Sequence, residues 1–312
     1  MQIEDIKVVA VIGAGIMGHG IAQVCARAGY NVYMMARHRT TLVQALEKIE
    51  LNIGVLVEEN VLSSEEAEIT LMRIKTTTDI LKATEKADLV IETVPELIES
   101  KKEIFEKHDR LCPKHTILAT NTTGFKISEI AQFTNRPANV VGTHFWNPPS
   151  IIPLVEVVKG PATSDETVKV TKEFVEKIGK VPVICKDKCI GPILQSAFND
   201  EAMRILEEGL ATPQEIDMVV KLGFGLRLPI IGPLETADYG GLDTWLYTRE
   251  NRYKQTGVMP PGLLLLRQKV EKGELGIKTG KGFYDYTAQD INSLLRKRYV
   301  LLIRLLKTLE VL

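Results

Sequence analysis

The ten residues VIGAGIMGHG (11–20) constrain this chain more than any other stretch. They close an almost continuously apolar, β-branched run, KVVAVI (7–12), and open a run of helical composition. An apolar run without alternation reads as a strand buried on both faces, the habit of parallel sheets. Gly13, Gly15 and Gly18 are spaced GxGxxG. At a strand-to-helix turn the first glycine permits the tight turn, the second lets the backbone approach a pyrophosphate, and the third lets the helix pack closely. Ile16 and Met17 complete the loop, where free N–H groups and the positive end of the helix dipole would face phosphates. A GxGxxG alone is a weak signal. Between a predicted strand and a predicted helix it points strongly to a dinucleotide.

The same alternation continues. VYMM (32–35), ADLVIE (87–92), TILAT (116–120) and NVVGT (139–143) read as strands, and 16–28, 40–57, 64–72 and 99–110 as helices. LVEVV (154–158) and VPVIC (181–185) add two strands joined by a helix that Ser164 caps, with Asp165 and Glu166 in its first turn. Strand–helix repetition predicts right-handed βαβ units, hence an α/β fold of Rossmann type with a mostly parallel sheet. The stretch 40–72 reads as a helical pair inserted between the second and third strands.

After about residue 187 the strand signal fades. ILQSAFNDEAMRILEEGL is helical, and Thr212 followed by Pro213 starts another helix. The expected division is a dinucleotide-binding domain over 1–187 and an all-α domain over 188–312. The segment DINSLLRKRYVLLIRLLKTLEVL reads as a basic amphipathic helix. Leucines at helical spacing favour docking on its own domain or on a second subunit over a membrane surface.

Lys and Arg number 39 against 40 Asp and Glu, a net charge of −1, so no global field draws the chain to nucleic acid or to an anionic membrane. Neither a signal peptide nor an uncharged run of membrane-spanning length is expected. The four cysteines, Cys25, Cys112, Cys185 and Cys189, show no zinc-ligand spacing. They read as reduced thiols of a cytoplasmic protein without a metal site.

An acidic residue that binds the ribose 2′-hydroxyl is expected about 20 residues beyond the glycines, at the end of the second strand. That place holds Ala36, and Arg37, His38 and Arg39 follow. A missing carboxylate removes repulsion against a 2′-phosphate, and an adjacent guanidinium binds one. The pattern leans towards NADP; the alternative is an Arg37 that stacks on the adenine of NAD.

The stretch THFWNPPSIIPLVE (143–156) sets His144 twelve residues before Glu156 (156 − 144). An imidazole takes or gives a proton near neutral pH, and a carboxylate on its second nitrogen fixes the tautomer.

With these residues in view, the chain resembles the 3-hydroxyacyl-CoA dehydrogenase family over nearly its full length. The matching stretches are VIGAGIMGHGIA, ADLVIETVPE with Lys101 and Phe105 behind it, NTTGFKIS, VVGTHFWNPP, PLVEVVKG, EAMRILEEG, IGPLETADYGGLD and GIKTGKGFYDY. The resemblance implies a dinucleotide-binding domain followed by an α-helical domain that forms a homodimer. It implies hydride exchange between a nicotinamide and a 3-hydroxyacyl-CoA, with His144 as base and Glu156 as its orienting acid. Thr123 stands where the family has a serine hydroxyl on the substrate oxygen, and Asn147 matches the asparagine of the histidine motif. Glu92, Glu96 and Lys101 fall on the nicotinamide side, with Lys101 the residue expected to touch cofactor, and Asn121 of NTTGFKIS joins the cofactor contacts.

Two departures bear on substrate. The family enters its helical domain through P-G-F-x-x-N-R, whereas this chain has DKCIGPILQS, two residues shorter, with Pro192 and Ile193 at the Asn and Arg positions and Gln195 as a substitute donor. The stretch GFGLRLPIIGPLE resembles dehydrogenases of free hydroxy acids such as gulonate and carnitine, which stand as the alternative, with a non-catalytic dinucleotide-binding protein as a third reading.

Overall fold

The computed structural model describes residues 1–311. Eight strands form one sheet: β1 (Val8–Ile12), β2 (Asn31–Met35), β3 (Ile74–Thr77), β4 (Leu89–Glu92), β5 (Ile117–Thr120), β6 (Val140–Phe145), β7 (Leu154–Lys159) and β8 (Val181–Lys186). Their order is β3-β2-β1-β4-β5-β6-β7-β8. Every pair is parallel except β6–β7. The helices of this region are α1 (Gly18–Arg27), α2 (Arg39–Glu58), α3 (Ser64–Met72), α4 (Ile80–Thr84), α5 (Ile98–Leu111), α6 (Ile127–Ile130) and α7 (Asp165–Lys177).

The central strands are apolar because both faces are covered. Val9, Val11, Leu89 and Ile91 pack with Ile21, Cys25 and Ile49 on one face, while Ala10, Val90 and Leu118 pack with Phe105 and Ile130 on the other. Seven of the strands follow from the sequence. The eighth, β3, does not: IKTT is short and half-exposed at the sheet edge, so it lacks the apolar signature of the interior strands. The insertion 40–72 does form a helical pair, α2 and α3, the latter opened by a Ser63–Glu66 capping box.

The chain divides into two compact units, one of Met1–Phe198 and one from Asn199 onward. The division lies beyond the expected residue 187, because the start of α8 (Gly191–Glu207) is tied into the first unit through the N–H groups of Ile190 and Gly191. The second unit carries no strand among the described residues. It contains α9 (Pro213–Val219), α10 (Pro233–Gly240), α11 (Leu242–Thr256), α12 (Leu263–Glu271) and α13 (Ile291–Thr308). Its small core joins Ala237, Leu242 and Leu266 with Trp245, Leu246, Val270 and Phe283. Buried Asp238 accepts the N–H groups of Phe283 and Tyr284 and the Tyr286 hydroxyl. The motifs ETADYGG and GIKTGKGFYDY are thus two halves of one structural joint. Among the described residues no helix is long and apolar enough to cross a membrane.

His108 on α5 is fully buried, and among the described residues neither ring nitrogen has a hydrogen-bond partner. Burial, with the Arg136 guanidinium adding to it, pushes its pKa down to about 3. A histidine depressed in the folded state binds its proton only on unfolding, so stability is held above the unfolded pKa near 6.5 and lost as pH falls below it. Urea melts at pH 7 and pH 5 should therefore differ by about 2 kcal/mol more for the natural chain than for His108→Leu. Equal pH dependence in the two proteins would contradict this account.

Candidate active site

The glycine loop joins β1 to α1, and its glycines are demanded by space. Gly13 has φ +111°, and a Cβ there would lie 2.7 Å from the Thr93 carbonyl oxygen. A Cβ on Gly18 would lie 1.9 Å from the Gly13 carbonyl oxygen. At Gly15 a Cβ would meet nothing within 4 Å, so this part of the loop is bare backbone open to a ligand. Thr93, at the end of β4, donates its hydroxyl to the Gly13 carbonyl at 3.0 Å and holds the turn in shape. Ile16 is 67% exposed at the loop tip and Met17 precedes the first turn of α1. Ala36 is buried at the end of β2, while Arg37, His38 and Arg39 are exposed and pair with no carboxylate among the described residues. Loop and helix start fit the diphosphate of a dinucleotide, and Ala36 stands where the ribose acid would otherwise be, with Arg37 next to it in sequence.

The antiparallel pairing of β6 with β7 sets His144 directly opposite Glu156. Nδ1 of His144 lies 2.7 Å from Glu156 Oε2, and both side chains are buried. The other carboxylate oxygen, Oε1, accepts the N–H groups of Ile190 at 2.7 Å and Gly191 at 2.9 Å, with the Cys185 thiol at 3.6 Å. Burial pushes the Glu156 pKa up, but the Gly191 N–H, the His144 ring and the Ile190 N–H together outweigh it and hold the acid below the ordinary carboxylate range. An ionised carboxylate only accepts, so Nδ1 carries the ring proton and the lone pair is left on Nε2. The Trp146 ring packs 5.3 Å from the imidazole. A Cβ on Gly191 would fall 2.2 Å from that indole and 2.9 Å from Glu156 Oε2, so the start of α8 reaches the acid only as glycine.

The loop after β5 is organised by Glu96. Its Oε1 accepts the Thr122 hydroxyl and the N–H groups of Thr123 at 3.1 Å and Gly124 at 2.8 Å. These contacts leave the Thr123 side chain exposed with no partner for its hydroxyl among the described residues. Asn121 accepts the Phe145 N–H at 2.8 Å and so ties this loop to the strand that carries His144. Asn147 lies two residues further on, exposed and ahead of a cis peptide to Pro148.

Lys101, behind this loop, lies in an ion-pair cluster. It is 1% exposed, and its ammonium lies 3.1 Å from both oxygens of Glu92 and 3.0 Å from Glu96 Oε2. With three carboxylate oxygens around three donated protons, it holds Glu92 and Glu96 in place.

Pro192 occupies the first turn of α8, where a missing N–H costs nothing, and Ile193 and Gln195 are exposed on the helix. Sequence reading missed the roles of Thr93, Thr122, Ile190 and Gly191. A threonine one residue past a strand is a weak signal, and backbone donors carry none.

Turn, paired His–Glu and exposed hydroxyl together define a nucleotide-dependent dehydrogenase of the doubly wound class. Comparison with known proteins narrows this. Residues 8–188 match the model of the 3-hydroxyacyl-CoA dehydrogenase NAD binding domain, and residues 192–286 match that of the 3-hydroxyacyl-CoA dehydrogenase C-terminal domain. A probable 3-hydroxybutyryl-CoA dehydrogenase of Bacillus subtilis is 40% identical over 286 residues, covering 90% of this chain and 98% of its own. The crystal structure of a 3-hydroxyacyl-CoA dehydrogenase from Archaeoglobus fulgidus superposes with TM-score 0.79 at 32% identity, covering 97% of this chain and 99% of its own. An NAD+-dependent 5-formyl-3-hydroxy-2-methylpyridine 4-carboxylic acid 5-dehydrogenase gives TM-score 0.74 at 30% identity, with 98% and 99% covered. The chain belongs to the 3-hydroxyacyl-CoA dehydrogenase family. It is an oxidoreductase with a nicotinamide-dinucleotide-binding domain.

The Lys101 network makes a quantitative prediction. Lys101→Met leaves Glu92 buried beside Glu96 without a cation, which should cost about 3–5 kcal/mol in a denaturant melt. Pairing it with Glu92→Gln should recover part of the loss. A loss under about 1 kcal/mol, the size expected for an exposed ion pair, would restore Lys101 as a surface ligand.

Proposed function

We propose that the chain interconverts a 3-hydroxyacyl-CoA and the corresponding 3-ketoacyl-CoA. The reading rests above all on His144, whose Nδ1 is held 2.7 Å from an acid kept ionised by two backbone N–H groups, leaving Nε2 as the base. The nicotinamide, when bound through the loop of Gly13, Gly15 and Gly18, supplies a hydride acceptor or donor. In the oxidative direction Nε2 takes the proton of the 3-hydroxyl, and Glu156 stabilises the imidazolium that results. The Thr123 hydroxyl donates to the same substrate oxygen and shares its developing charge. In reduction the imidazolium returns the proton.

Ala36 and the unpaired Arg37 support NADP over NAD. The free thiols fit a cytoplasmic setting. A homodimer formed through the second unit is supported by its apolar surface: α8 and α13 bury none of their residues, and Leu210, Met218 and Val219 are 67%, 58% and 65% exposed. The pyridine-carboxylate dehydrogenase among the relatives, together with the GFGLRLPIIGPLE pattern, favours a free hydroxy acid as the second reading.

Acetoacetyl-CoA should oxidise reduced nicotinamide, with NADPH turned over faster than NADH, and His144→Gln should lose about 10²- to 10⁴-fold. Turnover of a free hydroxy acid with none on acyl-CoA would select the second reading, and NADH matching NADPH would remove the NADP preference. In light scattering during size exclusion the protein should run at about 70 kDa, twice its 34.8 kDa chain mass. A 34.8 kDa particle would rule out the dimer.

A further inference from the structure

Cys185 and Cys189 play no part in the chemistry above, yet both are buried against its acid. Each is 4% exposed; the Cys185 thiol faces Glu156 Oε1 at 3.6 Å, and the Cys189 thiol donates to the Thr122 carbonyl at 3.6 Å. His144, Glu156 and Cys189 each present one ligand atom, all within 4.8 Å of one another. These are a nitrogen, a carboxylate oxygen and a sulfur, all from buried residues on β6, on β7 and in the turn before α8.

We infer that this trio is an inhibitory binding site for a zinc-class divalent cation. A four-coordinate zinc with ligands at 2.0–2.3 Å places its donors roughly 3.3–3.6 Å apart. From the present spread the sulfur closes by about 1 Å, while Nδ1 and Oε2, now 2.7 Å apart, open by roughly 0.6 Å to admit the ion between them. Nitrogen and sulfur donors select zinc, cobalt or cadmium over magnesium or calcium, which require oxygen. Part of the supporting shell already exists: Ile190 and Gly191 fix Glu156 Oε1, and the ion takes the place of the proton that Oε2 now shares with His144 Nδ1. The fourth position falls to water.

The Cys189 thiol gives up one proton to solvent and binds as thiolate. Neutral His144 binds through Nδ1 and keeps its single ring proton, which moves to Nε2. A protonated Nε2 cannot accept the hydroxyl proton, so the loaded site has no base. The same tautomer that prepares His144 for catalysis is the one the ion removes.

Cobalt(II) added to the purified full-length protein without substrate is the test. One equivalent should produce a thiolate-to-cobalt charge-transfer band and release one proton. The band should survive Cys25→Ser and Cys112→Ser and disappear in Cys189→Ser, whose uninhibited turnover should stay within about twofold. Zinc should inhibit turnover, EDTA should restore it, and Cys189→Ser should raise the half-inhibiting concentration at least tenfold. Magnesium should do nothing. Should Cys189→Ser fold poorly, the natural chain still decides the matter: zinc must slow alkylation of Cys189 but not of Cys112, read by peptide mass spectrometry. No band in the natural chain, a band unchanged in Cys189→Ser, or Cys189 alkylated equally fast with zinc would overturn the site. The cobalt band and the alkylation do not depend on which substrate the protein turns over, so they fail separately from the acyl-CoA reading.

Discussion

The antiparallel step from β6 to β7 is what the rest of the site depends on. An all-parallel sheet would carry the next strand in the same direction after a long crossover. Here the chain turns back at once, and His144 meets Glu156 across the ladder in register. A one-residue slip would turn Glu156 to the opposite face of the sheet. The strand pairing therefore also sets the alignment of imidazole and carboxylate. It is reinforced by the N–H groups of Ile190 and Gly191, which hold the acid ionised in a buried place.

A second buried network supports the other wall. Lys101 neutralises Glu92 and Glu96, and Glu96 gathers the backbone of Thr123 and Gly124 and the hydroxyl of Thr122. The consequence is a threonine hydroxyl displayed on a loop that cannot drift. The family's asparagine and arginine are replaced by Pro192 and Ile193, but the helix that carries those positions still performs one task through its backbone, which needs no particular side chain beyond the space Gly191 leaves. Buried charges thus organise the machinery while the reacting groups stay small in number.

Much of the fold was legible in the residues. Buried parallel strands announce themselves as unbroken apolar runs, and the capping residues Ser164 and Thr212 mark helix starts by hydrogen bonds their side chains do make. The edge strand β3 was not legible, because a half-exposed strand has no apolar signature to read. The burial of Lys101 was not legible for a related reason. A lysine looks exposed in sequence, and only the convergence of two acids from elsewhere in the chain makes its burial affordable.

The sequence by itself determined the sheet type, the dinucleotide loop and the His–Glu candidate pair, since each is local: a run of residues, a glycine spacing, a motif around His144. The tertiary structure decided who keeps company with whom. It put Cys185 and Cys189 against Glu156, withdrew Lys101 into an ion-pair core and recruited two backbone N–H groups to the acid. The physical reason is that pattern encodes burial and local geometry along the chain. Charge pairing and donor convergence belong to distances between residues far apart in it, and those exist only once the chain is folded.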